Sequence, residues 1–76
     1  MKVDATLDCI GLYCPIPIAY TAKKLKELEV GRVLEILADD EGVKEDMLAW
    51  CRTTGNELLG IEEEAGQYKV YVRKSK

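Results

Sequence analysis

The sequence predicts an α+β fold in two layers, with two helices packed on one face of a four-stranded mixed sheet in the order βαβαββ. Three observations lead there. The chain opens on a stretch of strict two-residue alternation, two later stretches repeat apolar residues at helical spacing, and a final pair of alternating stretches is joined by a tight-turn dipeptide. Strands and helices that alternate and then finish in a hairpin pack as one sheet with its helices on one side, provided the crossovers take their usual right-handed sense.

Residues 3–9 place Val3, Ala5, Leu7 and Cys9 on one face and Asp4, Thr6 and Asp8 on the other, the pattern of a half-buried strand. Residues 10–13 contain Gly11 and read as a tight loop. Pro15 and Pro17 then fit only the first turn of a helix, where amides have no intrahelical partner. That helix is expected to run to about Leu28, burying Ile18, Ala22, Leu25 and Leu28 and turning Lys23, Lys24, Lys26 and Glu27 to water. Gly31 ends the turn. Residues 32–38 are apolar apart from Arg32 and Glu35 and read as a central strand covered on both faces.

Asp39, Asp40 and Glu41 suit the positive end of a following helix and read as its cap and dipole complement. The helix is expected over residues 43–54, with Val43, Met47, Trp50 and Cys51 buried and a stop at Gly55-Asn56. Residues 58–64 and 68–74 form the hairpin, turning at Ala65-Gly66, with Tyr68, Val70 and Val72 alternating against Lys69, Tyr71 and Arg73.

At 76 residues the chain is read as a single domain, residues 1–76, with room for one core and no large cleft. A net charge of −3 argues against direct nucleic-acid binding, which needs clustered positive surface. The longest stretch without a charged residue, 9–22, is too short and too broken by Gly11, Pro15 and Pro17 to span a membrane. It does not resemble a secretory signal either. Three cysteines without a Cys-x-x-Cys pair make a poor disulfide framework and point to a reducing, cytoplasmic setting. With no histidine and only three thiols, neither a structural metal site nor another cofactor is expected. Cysteine-histidine catalysis is excluded for the same reason.

Cys14 is the residue that carries chemistry. It lies where the loop hands over to the first helix, and a helix mouth holds roughly +0.5 of an elementary charge with unpaired amide donors. That field is enough to lower a thiol pKa from about 8.5 to about 7 or 7.5. Asp8 opposes the shift if it faces the sulfur, so moderate activation is expected. Pro15 and Pro17 remove two donors and stiffen the backbone around the sulfur. Thiolate attack on a sulfane sulfur resembles thiol-disulfide exchange and needs no histidine. A carrier of this kind requires that the sulfur be reachable and partly ionised.

The run Asp8-Cys9-Ile10-Gly11-Leu12-Tyr13-Cys14-Pro15-Ile16-Pro17 resembles the signature of the TusA (SirA-like) sulfur-carrier family, an Asp, a Gly-Leu and a Cys-Pro-x-Pro at these spacings. Gly31, Ala38-Asp39-Asp40, Asp46 and Gly66-x-Tyr68 also resemble family positions, so the similarity covers nearly the whole chain. The resemblance implies a two-layer βαβαββ sandwich and a persulfide carried on Cys14. Sulfur would come from a cysteine desulfurase or a rhodanese-like donor and pass to an acceptor protein. The pathway is left open among tRNA thiolation, sulfur oxidation, molybdenum-cofactor supply and selenium metabolism.

The other residues take lesser parts. Gly11, Pro15, Pro17 and Asp8 are read as positioning residues. Ile10, Leu12, Tyr13 and Ile16 surround the sulfur, and a loop and one helical turn cannot hide them all. Tyr13 and Ile16, with Leu12, are therefore candidates for docking a partner protein. Cys51, on the apolar stripe of its helix, reads as core. Cys9 has core parity yet lies five residues from Cys14, which keeps a second reading open: a redox-regulatory adapter using a reversible Cys9–Cys14 disulfide. A monomer is the simplest state for a carrier.

Overall fold

The structure, a computed structural model, describes residues 2–76. Its elements follow the expected order: β1 (Ala5–Asp8), α1 (Ile16–Lys26), β2 (Val33–Ala38), α2 (Val43–Thr54), β3 (Glu57–Glu64) and β4 (Gln67–Arg73). The sheet runs β1-β2-β4-β3, with β1 parallel to β2 and β4 antiparallel to both its neighbours. Because β4 is inserted between them, β1, β2 and β3 all point the same way. Their C-terminal ends therefore share one rim of the sheet, and both helices begin there.

One face of the sheet holds the core. Leu34, Ile36 and Ala38 of β2 stand beside Val72, Val70 and Tyr68 of β4 in register, and all six are buried. Val43, Met47 and Cys51 of α2 and Leu25 of α1 close over them from the other layer. The opposite face is polar: Thr6 donates to Glu35 at 3.2 Å, Tyr71 to Glu62 at 3.1 Å and Arg73 to Glu57 at 3.1 Å. The expectation that β2 is covered on both faces is thereby corrected. It is central, but Leu37 on its open side is half-buried only by sheet neighbours, Asp8 and Lys69.

Local signals were accurate where they were strong. α2 ends as expected, with Gly55 in the left-handed region (φ 83°) donating its amide to the Cys51 carbonyl. Ala65 (φ 52°) and Gly66 (φ 78°) make the two-residue turn of the hairpin, both central residues having the positive φ that matches strand twist. A bulge between Leu58 and Gly60 interrupts the ladder of β3.

The first helix departs from its expected stripe. The buried line is Pro17, Thr21 and Leu25, with Ile18, Ala22 and Leu28 half-buried beside it. Thr21 can be sealed in because its hydroxyl donates to the Pro17 carbonyl at 2.7 Å. Among the described residues no helix is long and apolar enough to cross a membrane.

Candidate functional site

Parallel strands deliver their following loops to the same place. Asp8 of β1 lies in register with Leu37 of β2, so residues 9–15 and residues 39–42 leave the sheet side by side. Ligand and catalytic groups of open α/β sheets collect at this rim. Cys14 sits there, half-buried, between β1 and α1, its peptide bond to Pro15 being cis.

Three carboxylates hold the loop. Asp8 accepts the Ile10 amide at 2.9 Å, Asp39 the Gly11 amide at 3.0 Å and Asp40 the Cys14 amide at 2.9 Å. Gly11 needs its freedom here, with φ at 84°. Asp40 also accepts the Gly42 amide at 3.4 Å, so one side chain ties the Cys14 loop to the start of α2. Those bonds hold the Asp40 carboxyl below its ordinary range, the Cys14 amide contributing most. Reading Asp39 and Asp40 as a helix cap alone was therefore incomplete. Their reach across to residues 11 and 14 was missed, although the adjacency of loops after two parallel strands was the signal that could have found it.

The helix mouth does not present the free amides that the sequence suggested. Pro15 is the N-cap and Pro17 lies in the first turn, so neither donates. The Ile16 amide is spent on the Tyr13 carbonyl at 2.9 Å, and those of Ile18 and Ala19 on the Pro15 carbonyl at 3.1 Å. The Cys14 amide belongs to Asp40. Burial, hydrogen bonding and negative charge from Asp46, and the same from Asp40, push the Cys14 thiol up to about 12. The expected lowering to near neutrality is overturned: burial and the negative charges of Asp46 and Asp40 act on the sulfur in place of a field of free amide hydrogens. The thiol rests protonated.

Cys9 has no exposed surface and Cys51 is 4% exposed, both within the core, whereas Cys14 packs against the core only partly buried and is the least buried of the three cysteines. Burial raises the pKa of Cys9 and Cys51 as well. Around Cys14, Tyr13 is 74% and Ile16 43% exposed, as a docking collar requires. Leu12, expected with them, instead packs half-buried against the core. Ile10 and Tyr20 extend the exposed apolar surface, Tyr20 lying one turn beyond Ile16 on the same helical face. Tyr20 was not singled out from the sequence, because it fell among the lysines of α1.

Comparison with known proteins gives a consistent picture. A family model described as Sulfurtransferase TusA matches residues 5–74. The chain is 45% identical over 71 residues to the sulfur carrier protein TusA of Pseudomonas entomophila, covering 93% of this chain and 89% of that one. It is 43% identical over 74 residues to the putative sulfur carrier protein YrkI of Bacillus subtilis, covering 97% and 99%. The chain spans about two fifths of the length of two longer curated relatives: 40% of the putative sulfur carrier protein YrkF of Bacillus subtilis and 38% of a putative sulfur carrier protein of Aquifex aeolicus. Among solved structures, a SirA-like protein from Desulfitobacterium hafniense superposes with a TM-score of 0.81 at 27% identity, covering 95% of this chain and 99% of that one.

Proposed function

The chain belongs to the TusA sulfurtransferase family, and we propose that it relays sulfane sulfur as a persulfide on Cys14, from a desulfurase or rhodanese-like donor to an acceptor protein. The carrying observation is that Cys14 is the least buried of the three cysteines, set on the rim where two loops converge and bordered by exposed Tyr13 and Ile16. The partial ionisation that a carrier requires is absent at rest, so in the loading step the Cys14 sulfur loses its proton within the complex with the donor and attacks the outer sulfur of the donor's persulfide. The donor's S–S bond breaks, and its cysteine leaves as a thiolate that takes up the proton. Delivery runs the same exchange with the acceptor's cysteine, so no net oxidation or reduction occurs.

The remaining residues have defined parts in this reading. Pro15 and Pro17 stiffen the start of α1, Gly11 and Asp8 shape the loop, and Tyr13 and Ile16 dock partner proteins. The carrier acts as a cytoplasmic monomer, and any nucleic acid is met through a partner. Cys9 has no exposed surface, which leaves the Cys9–Cys14 disulfide reading without an observation in its favour.

The test is mass spectrometry of the intact chain after incubation with a cysteine desulfurase and cysteine, or with a rhodanese-type donor. The native chain and Cys51→Ala should each gain one sulfur atom, and Cys14→Ser none. Loading that persists in Cys14→Ser would refute the assignment.

A further inference from the structure

With Cys14 taken as the carrier cysteine, the groups around it do more than hold it in place. Asp40 binds the Cys14 amide at 2.9 Å and the Gly42 amide at 3.4 Å, so it is fixed from both loops, with its charge acting on the Cys14 thiol. Asp46, in the first turn of α2, lies where its negative charge acts on the same thiol. The other charges nearby are engaged elsewhere. Asp8 holds the Ile10 amide and Asp39 the Gly11 amide. Lys44 of α2 pairs with Glu63 at 3.7 Å and lies over the Tyr68 ring. On α1 the nearest lysine, Lys23, follows about 2.5 helical turns after Cys14.

We propose that Asp40, tied to the Cys14 loop, and Asp46, in the first turn of α2, are positioning residues that make the Cys14 sulfur a reluctant leaving group, so that the loaded carrier retains its cargo against free small thiols. Stripping by such a thiol begins with attack of its thiolate on the outer sulfur of the persulfide. The bond from that sulfur to Cys14 Sγ breaks, Sγ departs with the electron pair and takes a proton from water, and the small molecule leaves as its own persulfide. Departure slows as the leaving sulfur becomes more basic. Burial already raises the basicity of Sγ, and the negative charges of Asp46 and Asp40 raise it further and repel an incoming anion. A docked acceptor protein brings its own side chains to those carboxylates, whereas a free thiol brings none.

The experiment compares the native chain, Asp46→Asn, Asp40→Asn and the control Glu45→Gln. Glu45 lies in the same first turn and loses the same charge, but it is not among the groups acting on the thiol. Asp40→Asn keeps an oxygen to accept the Cys14 amide while removing the charge. Alkylation of the sulfur-free chain by iodoacetamide across pH, read by intact mass, does not depend on sulfur carriage. The midpoint should fall by at least about one pH unit in Asp46→Asn and Asp40→Asn and stay in place in Glu45→Gln. At pH near 8 the net rate should rise about threefold per unit, because a tenfold gain in thiolate is partly offset by lower nucleophilicity.

Chains loaded with sulfur and then mixed with glutathione should lose the added mass about threefold faster per unit in the two Asn variants. Alkylation profiles that superimpose on the native one, or equal stripping rates, overturn the proposal. Failure of the native chain to load sulfur, with the alkylation profiles shifted as stated, would instead sink the carrier reading and leave the proton-holding role of the two carboxylates in place.

Discussion

At the end where β1 and β2 begin, Asp4 accepts the Val33 amide at 2.8 Å and pairs with Arg32 at 3.4 Å. At the end where they finish, Asp39 and Asp40 accept the amides of Gly11 and Cys14. Both ends thus use an aspartate to bind a backbone amide across from its own strand, and both keep that aspartate's carboxyl below its usual range where a shift is resolved, as at Asp4 and Asp40. They differ in what surrounds the carboxylate. Asp4 has a cation beside it, while Asp40 has the Cys14 thiol, on which Asp46 also acts. One construction therefore fastens the sheet at one end and governs a reactive atom at the other.

The largest expected effect falls on both ends together. Ile36 is fully buried in the middle of β2, between Leu7 and Val70 in register. Ile36→Ala should cost about 2–5 kcal/mol through lost burial and the cavity left behind. In urea, Trp50 fluorescence and alkylation of Cys14 should report one shared transition at a lower midpoint. Separate transitions would mean that the two ends are not parts of one cooperative unit.

Changes in pH separate the ends. For Asp4 and Asp40 the folded pKa lies below the unfolded one, so their stabilisation is complete above about 3.9 and is lost as pH falls through the folded values. Acid therefore loosens both ends alike. For Cys14 the folded value is raised from 9.0 to about 12, so its contribution is complete below the unfolded value and is lost as pH rises toward the folded one. Tyr71, on the open face of the sheet, is also raised to about 12, by burial and by hydrogen bonding to Glu35 and Glu62, and acts in the same direction. In a Tyr71→Phe background, the fall in urea midpoint between pH 7 and pH 10 should be smaller in Cys14→Ser than in its parent and unchanged in Asp4→Asn. An equal fall in all three would remove the thiol end's distinct electrostatics.

What the sequence disclosed follows the range of the interactions. α2 and the Ala65-Gly66 turn were legible because their signals lie within a few residues: a helical apolar stripe, a glycine stop and a dipeptide suited to positive φ. The signature around Cys14 likewise located the loop and the family. The first helix was read with the wrong axis because Pro17 and Thr21 do not count as apolar core, although a buried threonine is satisfied by the carbonyl one turn back. The protonation state of Cys14 was misread for a different reason. It depends on burial, on Asp46 in the next helix and on Asp40, 26 residues away, none of which local pattern encodes. A helix-mouth argument also presumes free amides, and here prolines and carbonyls had already removed them.

The smallest effect is the one that tests the comparison most directly: Arg32→Gln would leave Asp4 with only the charge of Lys2 and bring the first end closer to the uncompensated carboxylate of the second. Most of the lowering at Asp4 comes from the Val33 amide, with the charge of Arg32 a lesser cause, and the Arg32 side chain is 49% exposed. Exposed pairs of this kind contribute little and are screened by salt. The urea midpoint should therefore fall slightly at low ionic strength, with the loss vanishing at about 1 M salt. Cys14 alkylation should not move at all. A large loss that persists in salt would mean that a carboxylate at a strand end needs a counter-charge in this fold, and the uncompensated Asp40 and Asp46 would then have to be maintained at a cost in stability for the sake of the sulfur beside them.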